Sequence, residues 1–126
     1  MAVDSVDRTR AVATALVADV ACVVVFATIG RRSHAEGLTL AGIAATAWPF
    51  VIGTLTGWLL SMAWRRPCSL LPTGVVVWVC TVVVGMVLRK LTSAGVAASF
   101  VVVASISTAV LLLGWRAAIH VVTRRR

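Results

Sequence analysis

The sequence predicts an all-α integral membrane protein, a four-helix bundle forming one transmembrane domain over residues 1–126. Three observations carry that reading. Hydrophobic residues fill 60% of the chain and charged ones only 13%, where a soluble domain holds about 25% charge. A chain of 126 residues also has a high ratio of surface to volume, so it cannot hide that much apolar side chain from water. The charges fall in short clusters that separate four long apolar runs, each able to supply the ~20 helical residues that cross a ~30 Å hydrocarbon core. Backbone groups in lipid need internal partners, and the alternating polarity of a membrane β-barrel is absent.

The first span covers about residues 11–29, between Arg8 and Arg10 on one side and Arg31 and Arg32 on the other. It shares only a basic flank with a signal peptide. The apolar stretch is too long, Asp19 interrupts it, and no A-x-A cleavage pattern follows Phe26, so a retained span is expected. The second span, about 39–64, lies in a charge-free run from Gly37 to Trp64 that would extend ~42 Å as a straight helix. Pro49 cannot donate to the carbonyl of Ala45, so a kink is expected near Trp48-Pro49-Phe50, with Thr46 placed to satisfy the freed backbone. Gly53 and Gly57 form a G-x-x-x-G pair that permits a second helix to approach closely. The third and fourth spans, about 71–88 and 91–115, are bounded by Arg89-Lys90 and Arg116. The short connections make successive spans antiparallel.

A net charge of +8 would suggest nucleic acid in a soluble domain. Here the cations sit in pairs between apolar runs, at Arg31-Arg32, Arg65-Arg66 and Arg89-Lys90, with three more at Arg124-Arg125-Arg126. That distribution flanks a membrane and offers no contiguous face for phosphates, so nucleic acid is excluded as a partner. An even number of spans puts both termini and the second loop on one side. That side holds eight cations, Arg8, Arg10, Arg65, Arg66, Arg116, Arg124, Arg125 and Arg126, against four on the other, Arg31, Arg32, Arg89 and Lys90. Both termini are therefore expected in the cytoplasm, in a cell membrane. The four C-terminal cations decide it, since the rest divide evenly. Trp64 and Trp115 read as interfacial anchors on the same face.

An internal repeat links the two halves. Leu38–Thr46 and Leu91–Ser99 share six of nine positions, Cys22 aligns with Cys80, and Trp64-Arg65 aligns with Trp115-Arg116. The repeat points to a duplicated two-helix hairpin with a parallel pseudo-twofold axis along the membrane normal; the alternative is chance similarity between spans rich in Val and Ala. Three features belong to the first half alone: Asp19, the loop Ser33–Gly37, and Trp48-Pro49-Phe50, where the second half has Val101-Val102-Val103.

Asp19 is the sharpest chemical signal. A carboxyl near the middle of a span costs roughly 2.5–3.5 kcal/mol unless it faces protein or water, and it either keeps its proton or finds a cation. Two readings follow: a proton- or cation-responsive site, or an acid hydrogen-bonded to Ser105 or Thr108 of the fourth span that sets helix register. Arg31, Arg32 and His34 form a polar loop that could hold an anionic headgroup or carboxylate, or could cap the first helix and snorkel to phosphates. His34 and Glu36 are too few, at the wrong spacing, for a metal site. Cys22, Cys68 and Cys80 form no C-x-x-C and are expected as free thiols. Trp48, Trp58 and Trp78 read as packing residues, and His120 as interfacial. With no Ser-His-Asp order, phosphate-binding glycine loop or carboxylate pair, no enzyme activity, metal or cofactor is expected.

Asp19, Ile29-Gly30-Arg31 with Ser33-His34, Trp48-Pro49-Phe50 and Gly114-Trp115-Arg116 together resemble a family of small bacterial membrane proteins, common in actinobacteria and catalogued as a domain of unknown function. The resemblance runs from about Asp19 to Arg116. It implies a four-helix integral membrane protein whose core site includes Asp19, Arg31, His34, Trp48, Pro49 and Phe50, and it implies no substrate. In layout alone the chain is similar to the small multidrug resistance transporters, which have four spans and one membrane-embedded acid in the first; they use Glu with nearby Trp and Tyr, and this chain has Asp and no Tyr. Two functions are expected to compete. One is a structural or accessory membrane component that contacts lipid or a membrane protein partner. The other is a small proton-coupled carrier using Asp19 and acting as a homo-oligomer.

Overall fold

The computed structural model describes residues 2–33, 39–92 and 96–124. They form four helices, α1 (Ala2–Ser33), α2 (Leu40–Ser61), α3 (Val75–Leu91) and α4 (Ala98–Arg124), with no strand among the described residues. Each helix contributes a stretch long and apolar enough to cross a membrane: Val6–Gly30, Leu40–Ser61, Leu70–Leu91 and Ala98–Arg124. The chain is an all-helical, multi-pass membrane protein. Residues 38 and 93–95 of the repeated segments lie outside the described residues, and no pseudo-twofold relation between the hairpins is shown.

Local sequence chemistry sets the ends of α2. Thr39 is extended and its hydroxyl accepts the N–H of Gly42 at 3.0 Å, satisfying one of the donors a helix start leaves free. The helix continues through the buried Pro49, and one turn earlier Thr46 Oγ1 donates to the Gly42 carbonyl at 3.2 Å. It stops at Met62, whose φ of 50° is left-handed and whose N–H reaches back to the carbonyls of Leu59 and Trp58. Trp64 therefore belongs to the connection and not to the helix. A 3-10 turn over Ala63–Arg65 and an irregular turn over Leu70–Gly74, in which Leu71 is extended and the Leu71–Pro72 bond is cis, then lead into α3.

α2 packs most extensively against α3, and the G-x-x-x-G pair explains how. A Cβ on Gly53 would stand 2.6 Å from the Cys80 carbonyl oxygen, and one on Gly57 would stand 2.7 Å from the Val77 Cα. Only bare backbone permits that approach. Thr54 and Thr81 meet on the same seam with 2.8 Å between their hydroxyl oxygens. Thr81 gives its proton to the Val77 carbonyl at 2.7 Å, so Thr54 is the donor between helices. Further along, Phe50 fills the space opposite Gly85, packs edge-on against Phe26 at 5.2 Å between ring centroids, and lies 6.2 Å from Phe100. Val23, Ala27, Ala47 and Ala104 complete this apolar cluster. A second cluster, built from Ala15, Trp58, Ala63, Val77 and Leu112, lies around the charged part of the interior found among the described residues.

Candidate functional site

At the middle of α1, Asp19 is wholly buried, as is Arg116 of α4, and the two form a two-pronged ion pair. Arg116 Nη1 donates to Asp19 Oδ1 at 2.8 Å and Nη2 donates to Oδ2 at 2.7 Å. Both carboxylate oxygens accept a second bond: the Trp115 indole donates to Oδ1 at 2.9 Å, and the Trp58 indole donates to Oδ2 at 2.8 Å. Two of the three remaining N–H donors of Arg116 are also used. Nη1 reaches the Leu112 carbonyl one turn back at 3.0 Å, and Nε reaches the Pro67 carbonyl at 3.0 Å. The guanidinium also lies 4.4 Å from the centre of the Trp115 ring.

Backbone periodicity assembles this group. Trp58 sits on the buried face of α2 with Thr54, one turn earlier. Leu112 and Arg116 share the buried face of α4, again one turn apart. The connection between α2 and α3 closes over the pair, since Pro67 holds Arg116 and the Cys68 carbonyl lies 3.0 Å from His120 Nε2, which donates to it when protonated there. One carboxylate thus ties α1 to α2 and α4, and its cation ties both to the connection. Beside it, Cys22 Sγ lies 3.5 Å from the Leu111 carbonyl; all three cysteines are free thiols.

The hydroxyl partners expected for Asp19 are engaged elsewhere. Ser105 Oγ donates to the Val101 carbonyl at 2.7 Å and Thr108 Oγ1 to the Ala104 carbonyl at 2.6 Å, each within its own helix. Arg116 is the partner instead, and it is a buried residue, not an interfacial cation of the membrane edge. Trp115 likewise turns its indole to the carboxylate and Trp58 is a hydrogen-bond donor as well as a packing residue. The signal that could have found Arg116 is the apolar run Ala117-Ala118-Ile119 and Val121-Val122, which carries the span beyond it.

Of the other candidate residues, those that are described do not gather around Asp19. Pro49 and Phe50 are buried in the phenylalanine cluster, and Phe50 lies eight residues, or ~12 Å, along α2 from Trp58. Trp48 is 40% exposed on the outer face of α2. Arg31 and Arg32 fall in the last turn of α1, but their side chains, like His34, lie outside the described residues.

No curated protein and no solved structure matches the chain. One family model does, over residues 16–119, a segment that contains Asp19, Trp58, Trp115 and Arg116. The chain therefore belongs to the family described as protein of unknown function, DUF3054.

Proposed function

We propose that this chain is a non-catalytic structural or accessory component of a membrane, contacting lipid or a membrane protein partner, with Asp19 and Arg116 acting as an internal clamp. The carrying observation is the occupancy of the carboxylate: four N–H donors fill both oxygens. A carrier acid must release its partner to take up a proton or substrate in each cycle. Releasing this one strands a guanidinium in a low-dielectric interior, at a cost of about 3–5 kcal/mol for a broken buried pair. The geometry therefore favours a static role for the acid.

The test is proton flux into vesicles that hold the purified full chain, driven by a pH gradient and compared with protein-free vesicles. The clamp reading expects identical traces. Flux that requires the protein, and that a folded Asp19→Asn variant abolishes, would instead establish the competing proton-coupled carrier. Asp19→Asn also reports on the clamp itself, because the amide turns an N–H2 group toward a site filled with donors. Lower thermal stability than wild type is expected in detergent.

A further inference from the structure

A second polar feature lies at the membrane edge, apart from the clamp. The first turns of α1 and the connection after α2 enclose a cavity of about 430 Å³ whose wall includes Arg8, Arg65, Arg66, Ser61 and Thr73. The three guanidinium groups come from two separate parts of the chain, and among the described residues no acidic one lines the wall. Thr73 is 1% exposed and its hydroxyl has no hydrogen-bond partner among the described residues, an uncommon state for a buried polar atom. Arg8 also borders a neighbouring groove of about 560 Å³ that runs along α1, lined by Thr9, Val12, Ala13, Leu16 and Trp64. A cationic pocket thus opens beside a mainly apolar groove, with Trp64 in the groove wall.

The geometry points to a binding site for an anionic phospholipid, its phosphate held by Arg8, Arg65 and Arg66 and an acyl chain laid in the groove beside Trp64. Charge complementarity supports the headgroup half, since guanidinium forks match phosphate oxygens and three cations around one cavity favour a charged ligand over a zwitterionic one. The lining of the groove supports the tail half, because past Arg8 and Thr9 its wall is Val12, Ala13, Leu16 and Trp64, which suit an acyl chain and not a phosphate. Thr73 offers a hydroxyl that a phosphate oxygen can engage. The site deepens the accessory reading by naming the lipid class, and it rests on that reading only for its biological use, since binding and proton flux are measured separately.

The experiment measures lipid retained by the purified full chain after reconstitution in nanodiscs of phosphatidylcholine doped with phosphatidylglycerol, with native mass spectrometry as readout. Wild type is expected to retain phosphatidylglycerol over phosphatidylcholine. The triple variant Arg8→Gln, Arg65→Gln, Arg66→Gln is expected to lose about a hundredfold in that preference, at the strength of a basic residue near an anionic surface. Trp64→Ala should weaken lipid retention with the preference for charge kept. Circular dichroism checks that each variant stays helical, and the exposed positions of the three arginines leave the packing of the bundle untouched. Three results would overturn the site: no preference in wild type, an equal loss from Arg31→Gln with Arg32→Gln at another cluster, or displacement of the lipid by inorganic phosphate at equal concentration.

Discussion

The seam between α2 and α3 and the seam between α1 and α4 solve one problem by opposite means. Lipid tails are as apolar as leucine, so two helices gain little by exchanging lipid for each other through apolar contact alone. α2 and α3 answer with shape: Gly53 and Gly57 let the backbones meet, and many weak contacts add up along the seam. α1 and α4 answer with charge, concentrating their specificity in Asp19, Arg116 and the two indoles that complete the carboxylate. A seam of shape fails gradually as contacts are lost. A seam of charge fails at once, because half of an ion pair is worse than none.

The largest expected effect tests that asymmetry. Replacing Arg116 with Met leaves Asp19 as an uncompensated acid at 0% exposure, and a loss of about 3–5 kcal/mol is expected in thermal or denaturant unfolding in detergent. Asp19→Leu should cost a similar amount by stranding the guanidinium. The double variant is expected to recover most of the loss, since it removes both charges and keeps apolar volume. A double variant as unstable as the worse single one would show that the hydrogen bonds to Trp58, Trp115 and Pro67 matter more than the cancellation of charge.

Much of the shape seam was legible in the sequence, and only half of the charge seam was. G-x-x-x-G states its own geometry, because small residues four apart share a helix face and their only structural offer is closeness. Asp19 announced itself by interrupting an apolar run. Arg116 did not, because a cation beside a tryptophan at the end of an apolar segment has the composition of a membrane edge. What separates the two cases is depth, and depth depends on where α4 ends. Its helix continues to Arg124, eight residues past Arg116, which draws the guanidinium inward until it meets Asp19. The expected grouping of Asp19 with Pro49 and Phe50 failed for a related reason: all three sit within spans, but the rise along α2 carries Phe50 into the phenylalanine cluster.

A smaller effect sharpens the shape side of the contrast. Gly57→Val puts a branched side chain where a Cβ already lies 2.7 Å from the Val77 Cα, so α2 and α3 must separate. A loss of about 1–3 kcal/mol is expected, the range for overpacking a filled interior. Gly114→Ala is the matched control. Nothing lies within 4 Å of a Cβ there, and the gain in helix propensity should leave stability unchanged or raise it by up to about 1 kcal/mol. Equal behaviour of Gly57→Val and Gly114→Ala in unfolding would remove close approach as the basis of the seam.

The smallest expected effect concerns a side-chain hydrogen bond between α2 and α3. Thr54 donates to Thr81, whose own proton is committed to Val77. Thr54→Val keeps the volume and removes that donor, while Thr81 retains its bond within the helix. Polar contacts between membrane helices average only about 0.6 kcal/mol, because the separated helices also find partners for their hydroxyls. Thr54→Val is therefore expected to lower stability by about that much, below the cost of Gly57→Val and far below that of Arg116→Met. The ordering matters more than any single value. If Thr54→Val cost as much as Arg116→Met, the α2–α3 seam would depend on a concentrated polar contact, and the distinction between a seam of shape and a seam of charge would dissolve.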